Sequence, residues 1–204
     1  VLPEGYYVVY GGQFESQQQA TQRILILGTI SMIIILSILF LHFRSLVLAL
    51  QVILNVPLAL IGSVAAMAVT GQSLSVASFV AFITLCGIAS RNGILLISHY
   101  LNLMSEEGEA FNEQLVIRGS LERMVPVLMT ASTAGLALIP LLVSSEAPGK
   151  EILHPVAVVI VGGLISSTLL DLIVTPTFFL WFGRSSALKY LQRLKMNKQP
   201  GELS

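Results

Sequence analysis

Five apolar blocks follow one another through most of this chain, at about residues 24–41, 46–70, 74–98, 125–143 and 155–182. Each reaches, within a turn, the roughly 20 residues a helix needs to cross ~30 Å of hydrocarbon. In lipid every backbone polar group must be bonded internally, and a helix does this within a single segment. A large soluble protein could bury one such block in its core, but five in succession would need a charged surface to cover them. This chain lacks one: of 204 residues, 54% are hydrophobic and 11% charged, against about 25% charged in an ordinary soluble domain. The same figures exclude disorder, which needs few apolar residues and much charge. The sequence predicts an all-α membrane protein, a bundle of five transmembrane helices. Pro57, Pro140 and Pro176 do not weaken the prediction, because bundled membrane helices tolerate proline. Small residues such as Gly162-Gly163 and those at 131–135 allow close helix packing.

The segments around the blocks set the domain plan. The chain opens with Val1-Leu2-Pro3-Glu4-Gly5 and runs through Tyr6-Tyr7-Val8-Val9-Tyr10 to Gly11-Gly12. That pattern predicts a β-containing run closed by a glycine turn, the end of a folded domain. The polar stretch 13–22 is a helical lead into the first span. No signal-peptide pattern precedes it, so the chain reads as a fragment of something longer. Residues 1–22 are the end of an outside domain, 23–183 the membrane bundle and 184–204 a tail. The one long connection, 99–124, carries Glu106, Glu107, Glu109, Glu113, Arg118, Glu122 and Arg123. Its Leu115, Val116 and Leu121 admit an amphipathic interfacial helix, and a solvated loop is the alternative. One side of the membrane collects Arg44, Arg118, Arg123, Arg184, Lys189, Arg193, Lys195 and Lys198; the other has Arg23 and Lys150. The positive-inside rule makes the C-terminal end cytoplasmic. A net charge of zero gives no reason to expect nucleic acid as a partner.

In a bilayer the informative residues are those that are costly there. Arg or Asp at mid-helix costs at least ~2.5–3.5 kcal/mol on insertion scales and marks a functional site by default. Arg91 in the third block and Asp171 in the fifth are the two cases. At ~1.5 Å per residue, Arg91 lies about 25 Å below Leu74 and Asp171 about 24 Å below Pro155. Thr130 lies about 21 Å, and Arg123 about 32 Å, below Ser144. Arg91, Asn92, Thr130 and Asp171 thus share a layer in the inner half of the membrane, with Arg123 deeper. Two readings stay open. Arg91 and Asp171 are a buried ion pair holding two helices in register, or they belong to a proton relay in which a cation governs carboxylate charge. Arginine does not release its proton at physiological pH, so a relay needs a carrier carboxylate, and Asp171 is the one at this depth.

Other candidates carry less. His42, His99 and His154 sit at span ends and read as interfacial residues. Cys86, the single cysteine, reads as a small packing residue, and the methionines as space fillers. No set of residues spaced to bind a metal, no phosphate loop and no nucleophile elbow is present. No cofactor and no enzymatic site are predicted.

Several stretches resemble the resistance-nodulation-division (RND) efflux permeases. Leu2-Pro3-Glu4-Gly5-Tyr6 with Gly11-Gly12-Gln13-Phe14-Glu15 is similar to the segment that precedes their eighth membrane helix. Phe43-Arg44-Ser45-Leu46 and Asn55-Val56-Pro57-Leu58-Ala59-Leu60-Ile61-Gly62 resemble the junction of the eighth and ninth helices. Gly87-Ile88-Ala89-Ser90-Arg91-Asn92-Gly93-Ile94-Leu95-Leu96 resembles the tenth. Arg123-Met124-Val125-Pro126-Val127-Leu128-Met129-Thr130 resembles the eleventh. Gly162-Gly163-Leu164-Ile165-Ser166-Ser167-Thr168-Leu169-Leu170 with Thr175-Pro176 resembles the twelfth.

The resemblance implies a proton-driven antiporter of the bacterial inner membrane, trimeric when complete, that works with a periplasmic adaptor and an outer-membrane channel. It also implies a relay in which Arg91, Arg123 and Thr130 face acidic residues of a helix outside this chain. Drug-exporting members usually carry lysine where Arg91 stands, so here the basic residue is an electrostatic partner only. Asp171 departs from the small or hydroxylated residue of the pattern, which suggests a counter-ion for Arg91. The Gly11-to-Glu15 run and its glutamine-rich continuation resemble the heavy-metal cation branch. Export of drugs or amphiphiles, or a truncated membrane fragment without transport, are the alternatives.

Overall fold

The computed structural model describes residues 13–143 and 152–198. Among the described residues seven α-helices follow in order: α1 (Gln13–Phe43), α2 (Leu46–Thr70), α3 (Val76–Ser105), α4 (Glu113–Val143), α5 (Leu153–Asp171), α6 (Val174–Phe178) and α7 (Arg184–Lys198). A π-helical turn, Phe179–Gly183, joins the last two. The five helices α1–α5 are long and apolar enough to cross a membrane, as the five blocks predict. The polar lead at 13–22 is helical and continuous with α1. The predicted β run and its Gly11-Gly12 turn lie outside the described residues.

The connections follow from local chemistry. Arg44, at φ +46°, reverses the chain between α1 and α2. Gly71 ends α2 at φ +64°, a conformation that costs glycine nothing for want of a Cβ. Its N–H bonds to the Ala68 carbonyl at 3.4 Å, and the Gln72 N–H to that of Met67 at 3.0 Å, a paired ending that satisfies carbonyls the helix leaves free. Ser75 caps α3, its Oγ accepting from the Ser78 N–H at 3.3 Å. Asn112 caps α4, its Oδ1 accepting from the Leu115 N–H at 2.7 Å.

The α3–α4 connection corrects both sequence readings of residues 99–124. It is neither a separate interfacial helix nor a long loop. α3 continues to Ser105 and α4 starts at Glu113, so a short turn remains, with Gly108 at φ +70°. Leu115 and Val116 are buried in the first turns of α4, while Leu121 is exposed. Charge holds the turn. Arg118 Nη2 meets Glu107 at 2.8 Å, its Nη1 meets Glu109, and its Nε meets Glu122 at 2.8 Å. Glu122 also meets His99 Nε2 at 2.8 Å, and Tyr100 Oη lies 2.6 Å from Ser120 Oγ. The two helices are therefore clasped side by side.

α2 and α5 form the most intimate pair, and the sequence shows why. A Cβ on Gly62 would lie 2.1 Å from Ser166 Cβ, and one on Gly162 would lie 2.4 Å from Ala66 Cβ. Small residues four apart on each helix thus let the backbones meet. Hydroxyls complete the seam in both directions: Ser63 Oγ donates to the Val159 carbonyl and Ser166 Oγ to the Leu58 carbonyl, each at 2.8 Å. α3 packs against both helices, α4 against α5 and α3, and α1 against α2 and α3. A core of Leu39, Phe43, Tyr100, Leu115 and Phe179 closes one end, with the Tyr100 and Phe179 rings 4.7 Å apart.

The block at 155–182 reads as one span in sequence, but its helix is interrupted. Pro176 has no N–H to give the Leu172 carbonyl, and its ring crowds that carbonyl. The chain loosens over Leu172 and Ile173 before α6 resumes. Gln51 Nε2 of α2 reaches across to the Phe178 carbonyl at 3.0 Å, where the π turn changes the helical register.

Candidate functional site

The interruption leaves Asp171 as the last residue of α5, turned inward and 5% exposed. Ser167, one turn earlier, donates from Oγ to Asp171 Oδ2 at 3.0 Å. Asp171 Oδ1 has no hydrogen-bond partner among the described residues. Asp171 lines a small cleft whose polar lining is completed by Asn55 of α2, Asn92 of α3, and Ser120 and Arg123 of α4. Asn55 is 1% exposed, and its Oδ1 accepts from Thr175 Oγ1 of α6 at 2.9 Å. That bond fixes the amide so that Nδ2 is left over, and Nδ2 is likewise without a partner among the described residues. Gly93 makes room for it: a Cβ there would lie 2.6 Å from Asn55 Nδ2.

Of the five residues predicted for a relay, the cleft gathers three: Asn92, Arg123 and Asp171. Arg91 and Thr130 stand outside it and are exposed. The Thr130 hydroxyl bonds back to the Val127 carbonyl of its own helix at 2.9 Å. Arg91 belongs to a stripe of α3, with Val80, Thr84, Gly87 and Leu95, that no described residue covers. The counter-ion expectation for Arg91 and Asp171 is not met, since no salt bridge among the described residues joins them. The reason is angular: consecutive helical residues point ~100° apart, so burying Asn92 turns Arg91 outward. Sequence reasoning missed Asn55. The signal available was an amide in an apolar block, one turn after Gln51 and two residues before Pro57. His99, read as interfacial, is paired with Glu122.

The family model described as AcrB/AcrD/AcrF matches residues 1–183, most of the chain. The chain belongs to the AcrB/AcrD/AcrF family. The RND resemblance drawn from its motifs is thereby borne out. The cobalt-zinc-cadmium resistance protein CzcA of Cupriavidus metallidurans is 35% identical over 178 residues, covering 87% of this chain and 16% of CzcA. The nickel-cobalt-cadmium resistance protein NccA of Alcaligenes xylosoxydans xylosoxydans is 38% identical over 202 residues, covering 99% of this chain and 18% of NccA. A crystal structure of a heavy metal efflux pump superposes with a TM-score of 0.72 at 36% identity, over 95% of this chain and 18% of that one. The chain therefore spans less than a fifth of the length of these relatives.

Proposed function

We propose that the complete protein is a proton-driven antiporter that exports heavy-metal cations, and that this chain supplies part of its energy-coupling membrane region. The carrying observation is the position of Arg91. An arginine on a stripe that faced hydrocarbon would be costly, and this one has no ion-pair partner among the described residues to offset that cost. The stripe of Val80, Thr84, Gly87, Arg91 and Leu95 is accordingly a protein-facing surface of the whole molecule. The group that suits a guanidinium there is a carboxylate of a helix outside this chain. Proton entry neutralises that carboxylate, removes its attraction to Arg91 and frees the helices to shift; proton release restores the pair. Thr130 and Arg123 on α4 and Asn92 on α3 line the route, and Asp171 is a carboxylate of the chain itself.

The names of the similar proteins, which concern resistance to cobalt, zinc, cadmium and nickel, favour metal cations over drugs or amphiphiles as cargo. The reading of a fragment held by a structural Arg91–Asp171 pair loses its support with that pair. The complete protein is read as a trimer in the bacterial inner membrane, C-terminus cytoplasmic, with a periplasmic adaptor, an outer-membrane channel and the lipid bilayer as partners. In the full-length protein, Arg91→Ala should abolish proton-coupled metal export from loaded vesicles while leaving expression intact. Export at the wild-type rate would refute the relay. A deletion strain should become sensitive to cobalt, zinc or cadmium and not to dyes, and unchanged metal tolerance would sink the metal assignment.

A further inference from the structure

Two residues that line one cleft each hold a buried polar atom without a partner among the described residues, and the two atoms are chemically opposite. Asn55 Nδ2 is a donor with protons to give, and Asp171 Oδ1 is an acceptor with lone pairs free. Buried polar groups in folded proteins are nearly always satisfied, by protein or by ordered water. A water molecule can accept from one and donate to the other. A metal ion fits poorly, because the Asn55 oxygen is taken by Thr175, its unpartnered end is N–H₂, and Arg123 shares the lining. We propose that the cleft lined by α2, α3, α4 and the end of α5 binds an ordered water that accepts from Asn55 Nδ2 and donates to Asp171 Oδ1. This water is the point through which a proton reaches and leaves Asp171. The second half of the proposal rests on the proton-driven reading above; the water site does not.

The surroundings support a path as well as a site. Ser120 and Arg123 line the cleft on its α4 side. Ser120 is bonded to Tyr100, and Glu122 beside it is paired with His99. Polar groups thus run from Asp171 to the clasped ends of α3 and α4. The groups facing Asp171 are Asn55 from α2, Asn92 from α3, Arg123 from α4, and Ser167 on its own helix; Arg123 is the charged one. A hydronium arriving by this path gives its proton to Oδ1: one O–H bond forms on the carboxylate, one breaks in the hydronium, and a neutral water stays behind. The attraction between Asp171 and Arg123 falls, and the reverse transfer restores it. Asp171 is then a second carrier, on a different face of α3 from the Arg91 stripe.

The test uses the full-length protein, purified and reconstituted in liposomes. Asp171→Asn preserves the size of the side chain and an oxygen for Ser167. It should remove one protonated-carboxyl band from the infrared pH-difference spectrum and reduce proton-coupled zinc export about a hundredfold. Asn55→Ala, which takes away one partner of the water, should shift that band to higher frequency. A spectrum unaltered by Asp171→Asn overturns the carrier role, and a band unmoved by Asn55→Ala overturns the water site. If Arg91→Ala abolishes export while Asp171→Asn leaves export and spectrum as in the wild type, this inference falls and the proton-driven reading stands. If neither substitution changes export, both fall.

Discussion

Gly163 sits where α2, α3 and α5 meet, and nothing larger fits. A Cβ there would lie 2.1 Å from Leu85 Cδ2 and 2.5 Å from Ser63 Oγ. Ser63 spans the seam to the Val159 carbonyl, so a side chain at 163 would break a bond as well as crowd a core. Gly163→Leu should destabilise the folded bundle by about 1–3 kcal/mol or more, seen as a lower thermal midpoint of the detergent-purified protein. An unchanged midpoint would mean that the helices separate without cost. Legibility at this scale was uneven. The glycine pair at 162–163 announced close packing, and Arg91, Asn92, Arg123 and Asp171 stood out as polar residues at membrane depth. Depth can be counted from a fixed rise per residue. Azimuth cannot, because it depends on which neighbours a helix meets, and so the sequence joined Arg91 to Asp171 when the burial of Asn92 turns them apart.

The element that governs the cleft is the interrupted helix α5–α6. Its break needs Pro176, and its consequences reach Asp171 at the end of α5 and Thr175, which orients Asn55. Pro176→Ala restores an N–H and relieves a residue that disfavours helix interiors by ~3 kcal/mol. The amides of Ile173 to Thr177 should then exchange more slowly with deuterium, and the infrared band assigned to Asp171 should move as Thr175 is displaced. Exchange as fast as in the wild type would show that the break is held by tertiary contacts. The five spans were legible as elements because each block meets the thickness of the bilayer. The break was not, because proline is tolerated within membrane helices and only packing decides whether one bends. The α3–α4 connection was misjudged for a related reason: its charges looked like loop, yet ion pairs around Arg118 let both helices run on.

At the scale of the whole molecule, burial is lopsided. None of the apolar window of α4 is buried and 6% of that of α1, against 44% for α3 and α5. Two long helices, α1 and α4, thus offer most of their surface outward, and α3, though better buried, keeps the exposed stripe that carries Arg91. Gly87 lies on that stripe, and a Cβ there meets nothing within 4 Å among the described residues. Gly87→Leu should therefore leave the stability of the separately expressed chain unchanged while lowering the melting temperature of the full-length protein. Equal midpoints for the full-length variant and its parent would place the stripe in lipid. Expressed alone, the chain should insert into membranes and confer no metal tolerance; measurable efflux by it would show that the remainder of the relatives' length is dispensable.

The clasp around Arg118 has a mechanical consequence. Because Glu107, Glu109, Glu122, His99 and Tyr100 bind the ends of α3 and α4 together, the two helices make one stiff lever. Arg91 is mounted on one limb and Arg123 on the other. On the proposed mechanism, a swing started at Arg91 also moves the rim of the cleft at Asp171. On that mechanism, two protonation events on different faces of α3 are geared to each other, like teeth on a common shaft.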